Sequence, residues 1–369
     1  MKKIQVFDYL RQYKDIEAKV LAAINTVLNS GALILGEQVK SFEDNFCNYL
    51  GDKGYAVAVN SGTDALVVAL RALNIGHGDE VITVSNTAVP TVSAIRIVGA
   101  TPVFCDVDES TALIRIDQIE NVITKNTKAI IPVHLFGNIV DITSIKKITD
   151  ERGIHIIEDC AQAIGSKINN KMAGTLGKIS AFSFYPTKNL GAYGDAGLCY
   201  SQDPLLAKRM REIRMYGFDT DNISKIEGIN TRMDELQASI LNVKLEYVDS
   251  YIYNRRELAR EYEKFLNPSI IKLSESENEG HSYHLYVVRV PDRELVIKKL
   301  SEVGIGSGIH YKCPIHLMSG YEFLGYSKGS LRTTELLSGE ILSLPMYPEL
   351  TKKEVRFVCK NLNSILSQI

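Results

Sequence analysis

Charge of either sign is scarcely in excess in this chain: 42 Lys and Arg against 44 Asp and Glu leave a net of −2. A nucleic acid or an anionic membrane calls for a basic patch, so the balance gives no reason to expect either as a partner. The six cysteines, Cys47, Cys105, Cys160, Cys199, Cys313 and Cys359, include no CxxC pair. That spacing argues against a zinc site and a disulfide framework, and predicts reduced, mostly buried thiols in a cytoplasmic protein. No apolar run reaches the roughly 18 residues needed to span a bilayer. The opening MKKIQVFDYL has basic residues without an apolar stretch behind them, so it does not read as a secretory signal. Also missing are the GxGxxG of a dinucleotide fold and the GxxxxGK of a P-loop; GIGSGIH at 304–310 has similar glycine spacing in the wrong chain context. A chain of 369 residues, 45% hydrophobic and 23% charged, has the composition of a soluble globular protein of two or three domains.

What is present is a rhythm. Short apolar runs recur at YAVAVN (55–60), EVITVSN (80–86), TPVFCDV (101–107), KAIIPVH (128–134), HIIED (155–159), SAFSF (180–184) and AGLCYS (196–201). Several are apolar on both faces, as strands buried in a mostly parallel sheet are. Helical candidates such as TDALVVALRAL and VDITSIKKITDERG lie between them, which predicts a layered α/β domain. Beyond about residue 203 the texture shifts to long amphipathic helices, DPLLAKRMREIRMYG and a stretch over 232–266. The second is expected to lead into a smaller C-terminal domain with the strand HLYVVRV, the helix RELVIKKLSEVG and the closing helix KKEVRFVCKNLNSIL. The division is placed at 1–245, a large domain with an N-terminal arm, and 246–369, the small one.

Three stretches carry chemistry. Asn60-Ser61-Gly62-Thr63-Asp64-Ala65-Leu66 follows one strand and opens a helix. A flexible turn there exposes free backbone N–H groups and the positive end of the helix dipole, with hydroxyls from Ser61 and Thr63. This reads as a phosphate cup or as an ordinary N-cap. Asp159 ends the strand HIIED, at the edge where open α/β sheets bind ligands; a salt bridge or helix cap is the plainer alternative. Gln162 follows it, placed to meet a ring hydroxyl or to stack on a ring.

The third stretch, Ser183-Phe184-Tyr185-Pro186-Thr187-Lys188-Asn189-Leu190-Gly191, sets a lysine among apolar and aromatic neighbours, with Ser183 placed to add a phosphate hydroxyl. Keeping a lysine of ordinary pKa neutral at pH 7 costs about 4.6 kcal/mol, which desolvation and nearby positive charge must offset. Gly191, Gly194 and Gly197 are expected to let backbone approach a ligand. A lysine and a carboxylate brought to one edge by different strands are what pyridoxal phosphate chemistry requires. The amine forms a Schiff base with the cofactor aldehyde, and the carboxylate keeps the pyridine nitrogen protonated. Two further segments carry less weight. Gly228–Met233 opens the long helix, with Asn230 as its cap or a ligand contact. Gly308–His316 holds His310 and His316 without a local carboxylate or paired cysteine to complete a metal site, so no metal is expected and a substrate wall is the better reading.

In order, NSGTDAL, IEDCAQAIGS, AFSFYPTKNLGAYGDAG, GINTRMDELQA, GIHYKCPIH and SLPMYPELT resemble the DegT/DnrJ/StrS-type sugar aminotransferases, over about residues 30 to 365. The resemblance implies a fold-type I pyridoxal phosphate transferase: a mostly parallel seven-stranded sheet between helices, a smaller C-terminal α+β domain, and a homodimer with shared active sites. It implies Lys188 as the Schiff-base lysine, Asp159 at the pyridine nitrogen and Gln162 near the ring hydroxyl. Gly62, Thr63 and Ser183 fall at phosphate-binding positions, and Asn230 matches an asparagine supplied by the neighbouring subunit. Tyr185, His310 and Tyr311 fall where relatives line the sugar pocket. Departures are Ala88 and Val89, in a segment where relatives carry a stacking aromatic, Ile164 for a histidine, and Lys312 for a proline. Lys312 would touch a substrate diphosphate or stay solvated.

The activity so implied is transfer of an amino group from glutamate to a nucleotide-linked ketosugar, a dTDP-linked keto-6-deoxyhexose aminated at carbon 3, in O-antigen, lipopolysaccharide or glycan decoration. Carbon-4 amination of a UDP- or GDP-sugar and a pyridoxamine-dependent sugar dehydratase are the alternatives. Dehydratases that cannot transaminate tend to replace the lysine by histidine, so Lys188 favours transamination. A binding-only regulatory protein is the alternative of another class, disfavoured by the intact Asp159, Ser183 and Lys188.

Overall fold

The computed structural model describes residues 3–51, 53–275 and 280–369. All seven apolar runs become strands of one sheet: β1 Tyr55–Val59, β2 Glu80–Val84, β3 Thr101–Cys105, β4 Thr127–Ile130, β5 His155–Asp159, and, after a small hairpin (β6 Lys167–Ile168, β7 Lys171–Met172), β8 Ile179–Ser183 and β9 Gly197–Ser201. The order is β1-β9-β8-β5-β4-β2-β3, with β9 antiparallel to both of its neighbours and the other pairings parallel. The hairpin was not expected. Its turn uses Asn169 and Asn170 at φ 49° and 61°, the left-handed pair that a tight two-residue turn demands and asparagine tolerates.

Helices α1 Tyr9–Ser30 and α2 Glu37–Leu50 precede β1, α3 Gly62–Ala72, α4 Val89–Ile97, α5 Ile119–Val122 and α6 Ile142–Thr149 join successive strands, and α7 Pro204–Arg214 follows β9. The sheet is apolar on both faces because both are covered. Along β8, Phe182 packs with Phe42 and Phe46 of α2, while Ile179 and Ala181 face Leu66 and Leu70 of α3 and Met210 of α7. Phe46 meets Phe182 and Phe184 edge-on at 5.0 and 5.4 Å between ring centroids, the arrangement aromatic quadrupoles favour.

The long helix expected over 232–266 is two helices, α8 Glu235–Leu245 and α9 Val248–Phe265. Tyr247 N–H reaches the carbonyl of Lys244, three residues back, so a tight turn closes α8 before α9 begins. Asn230 does not cap the helix; Asp234 occupies that position. Beyond α9 lies an antiparallel sheet, β10 Ile271–Lys272, β11 Tyr286–Arg289 and β12 Ile341–Leu344, in that order. With it go α10 Arg293–Glu302, α11 Arg332–Glu340 and α12 Lys352–Leu366, the last held by a Thr351–Glu354 capping box. Among the described residues no helix is long and apolar enough to cross a membrane. All six cysteines are unpaired, and four are buried.

Candidate active site

Four strand ends converge on one cavity of about 310 Å³. The segment after β1 brings Gly62 and Thr63, that after β2 brings Thr87, Ala88 and Thr91, β5 brings Asp159 and Gln162, and β8 brings Ser183, Tyr185 and Lys188. These four strands run parallel to one another and present their C-terminal ends here, the edge at which open α/β sheets take ligands.

Asp159 is the last residue of β5 and only 3% exposed. Thr91 Oγ1 donates to its Oδ2 at 2.8 Å, and Ala161 N–H donates to Oδ1 at 3.1 Å. Burial raises its pKa, against those two hydrogen bonds and the attraction of Lys188. Lys188 is half-buried, and its amine makes no hydrogen bond or ion pair among the described residues. Burial pulls its pKa down to about 8, opposed by the Asp159 charge. An amine so poised is reactive near neutral pH, because a useful fraction carries a free lone pair.

At the other wall, α3 starts at Gly62 with Ser61 as its N-cap; the Ser61 hydroxyl accepts the N–H of Asp64 at 3.1 Å. The cap and the cup therefore coexist. Capping uses Ser61 and Asp64, and leaves the N–H groups of Gly62 and Thr63 free at the positive end of an 11-residue helix. A β-carbon at position 62 would stand 2.6 Å from Ser183 Cβ, so only glycine lets the helix start lie against β8. Two N–H groups and the hydroxyls of Thr63 and Ser183 thus border the cavity. A positive, donor-rich wall, a buried carboxylate and an unpartnered amine suit a ligand that carries a phosphate and a basic ring nitrogen.

Gln162 accepts Phe136 N–H at 2.7 Å and donates to the Tyr311 hydroxyl at 2.9 Å, which joins Tyr311 to the cavity wall. Tyr311 is pushed up to about 12 by burial. His310 bonds Ser343 through Nδ1 at 2.9 Å, and burial, then the charge of Lys188, pulls it down to about 4. Neither residue forms the cavity lining, whereas Tyr185 does, at its exposed mouth. Asn230 is exposed and outside the cavity of its own chain, although the adjacent Thr231 accepts the N–H of Asn60 at 3.3 Å.

Several expectations need correction. Gly191 and Gly197 do not open space for a ligand: a β-carbon there would strike Pro186 O at 2.4 Å or Ser61 O at 2.2 Å, so they serve the approach of chain to chain. His316 is not part of a substrate wall. It is 1% exposed, bonded to Ser85 at 2.8 Å and Glu335 at 3.1 Å. Of the two readings of Lys312 the solvated one matches its place: it lies on the surface, 3.6 Å from Glu294. Ile164 stands in the apolar core beside α2 and α8. The residues around Asp159 that sequence reasoning missed are Thr91 and Ala161, together with Asp195, which also lines the cavity. Glu158, next to Asp159, is wholly buried. Burial opposes its charge, but His134 and the N–H groups of Gly174 and Gly177 outweigh that and hold its pKa low. His134, Glu158 and Cys160 bring one ligand atom each within 4.8 Å of one another, yet the Glu158 oxygens are already engaged.

Residues 14–363 match the model of the DegT/DnrJ/EryC1/StrS aminotransferase family. The chain is 43% identical over 356 residues, 94% of each chain, to a dTDP-3-amino-3,4,6-trideoxy-alpha-D-glucose transaminase of Micromonospora megalomicea. Its fold superposes on the crystal structure of S. venezuelae DesV with a TM-score of 0.97 at 36% identity, covering 100% of both chains. NtdA of Bacillus subtilis, solved with bound cofactor PMP, follows with a TM-score of 0.92 at 31% identity, covering 100% of this chain and 86% of that one. The chain belongs to the DegT/DnrJ/EryC1/StrS aminotransferase family.

Proposed function

We propose that this protein is a pyridoxal phosphate-dependent aminotransferase that moves an amino group from glutamate to a dTDP-linked keto-6-deoxyhexose, at carbon 3 of the sugar. One observation carries the reading: an unpartnered lysine amine and a buried carboxylate share a cavity with a donor-rich helix start. Gly62, Thr63 and Ser183 would hold the phosphate, Asp159 the pyridine nitrogen, and Lys188 the aldehyde carbon. When bound, the cofactor supplies an electron-withdrawing ring that stabilises negative charge on the carbon that loses its proton. The 43% identity to a dTDP-3-aminosugar transaminase supports the sugar and the carbon.

The chain's own groups have distinct tasks. Asp159, held by Thr91 and Ala161, presents a fixed negative charge that keeps a ring nitrogen protonated. Lys188 Nζ takes the proton from the donor's α-carbon and, in the second half-reaction, delivers one to the former ketone carbon of the sugar. Glutamate leaves as its keto acid and the ketone carbon gains nitrogen and hydrogen, so the exchange balances without an external oxidant. Tyr185 at the mouth, with His310 and Tyr311 beyond Gln162, would face the sugar. Asn230 would act in a second copy's site, since it lies outside its own cavity, and the exposed Leu10, Leu21 and Leu28 on α1 would be covered in such a homodimer.

The test is incubation with glutamate and a panel of dTDP- and UDP-linked 3-keto and 4-keto sugars, with the aminated carbon identified by NMR. The 3-amino dTDP-sugar is expected, and Lys188→Ala should abolish it. A protein that stays colourless with added pyridoxal phosphate, and keeps no label on Lys188 after borohydride, would overturn the reading.

A further inference from the structure

The lysine loop is closed on itself and gripped from one side by α8. Lys188 N–H bonds Tyr185 O at 2.8 Å and Ala192 N–H bonds Phe184 O at 2.7 Å, so residues 184–192 form a compact knuckle. Gln237 of α8 accepts Tyr193 N–H at 2.9 Å. One turn pair further along α8, Lys244 is 2% exposed; its ammonium donates to the carbonyl of Gly191 and lies 4.9 Å from the Tyr193 ring centre. The carboxylate acting on Lys244 is Glu349, which also accepts Gln12 Nε2 of α1 at 3.0 Å.

A buried ammonium is a costly way to fill space. A methionine or leucine would occupy the same volume without desolvating a charge. Among the described residues, the hydrogen bond that the Lys244 side chain makes goes to the segment that carries Lys188. We propose that Lys244 is a positioning residue for Lys188: bonded to the Gly191 carbonyl, it fixes the seat of the 184–192 knuckle and thereby the place of the reactive amine beside Asp159. This rests on Lys188 being that amine, as proposed above. Asn189 holds the opposite side of the knuckle through Ile164 O and Ser282 O, at 3.2 and 3.3 Å. Without Lys244 the knuckle is anchored on that side and at Tyr193 alone, and the Gly191 carbonyl must turn to find water.

The experiment uses full-length protein stripped of cofactor, trace-acetylated across pH 6 to 10.5, with mass spectrometry of the Lys188 peptide. In the native protein the labelling midpoint reports the amine of Lys188 directly. Lys244→Met should move that midpoint upward by about half a unit or more, leaving about threefold less neutral amine at pH 7. The exposed Lys14 should be unaffected. Lys244→Arg, which keeps charge and donor, should restore the native midpoint. An unchanged Lys188 midpoint in Lys244→Met, or an arginine variant that behaves like the methionine one, would overturn the proposal. If the methionine variant does not fold, Lys244→Gln makes the same comparison; failure of both to fold would assign Lys244 to stability alone and also overturn it. Cofactor retention by the native protein tests the role of Lys188 separately, so the two ideas fail by different measurements.

Discussion

Thr91 Oγ1 donates to Asp159 Oδ2 at 2.8 Å, although the helix that carries Thr91 follows a strand that is not a neighbour of the one ending in Asp159. The hydroxyl comes from α4, after β2, and the carboxylate from β5, with β4 between. A hydrogen bond to a buried charged group contributes about 1.5–3 kcal/mol. Thr91→Val keeps the shape and removes the donor, so kcat/KM should fall about 10- to 100-fold, with Thr91→Ser close to native. Steady-state kinetics decide it; a valine variant of native kcat/KM would remove Thr91 from the site.

Gly62 against Ser183 makes a steric prediction. A β-carbon at 62 would lie 2.6 Å from Ser183 Cβ, closer than such atoms come, so Gly62→Ala must push α3 away from β8. The free N–H groups of residues 62 and 63 move with it. Affinity for pyridoxal phosphate, measured by absorbance titration, should weaken by at least about tenfold, roughly the 1–3 kcal/mol of one disrupted donor set. The melting temperature of the cofactor-free protein should change far less than that of the loaded one.

These two contacts also mark where reading from sequence stops. The seven strands were legible because each is a short apolar run between helices, and Asp159 and Lys188 because each ends one of those runs in polar or turn-forming company. The cup at Gly62 was legible because strand, small residues and helix follow one another in the chain. Thr91 was not, since its meaning depends on the crossover that sets β2 two strands from β5, and nothing local encodes that order. The break between α8 and α9 was hidden for a different reason: apolar spacing continues through it, and only the three-residue bond from Tyr247 to Lys244 ends the first helix. In the sequence Gly191 and Gly197 suggest room for a ligand, whereas the space they leave is filled by the chain's own backbone.

Tyr311 offers a separation of binding from chemistry. Its hydroxyl accepts from Gln162, whose other end is already fixed by Phe136 N–H. Tyr311→Phe removes one neutral hydrogen bond and leaves the Gln162 carbonyl in place. Such a bond contributes about 1 kcal/mol, so KM for the sugar should rise roughly threefold to tenfold with kcat little changed. A fall in kcat of the same size with constant KM would instead place Tyr311 in the chemical step.

Lys188 sets a pH dependence of stability whose direction follows from its environment. Burial lowers its pKa in the folded protein to about 8, while the unfolded chain keeps the ordinary value near 10.4. Below pH 8 the amine is charged in both states, and the folded state bears the full penalty of desolvating it. Between about pH 8 and 10.4 the unfolded chain binds more protons than the folded one, so stability rises with pH over that window. Above it the amine is neutral in both states and the penalty is gone. Lys188→Met removes the titrating group while keeping an unbranched apolar chain in the same space. In the cofactor-free protein this variant should therefore be more stable than the native one at pH 7, and the gap should close as pH approaches 10. Urea unfolding at pH 7, 8.5 and 10 measures it. A native protein as stable as the methionine variant at pH 7 would mean that Lys188 is solvated, and the poised amine on which the chemistry depends would be absent.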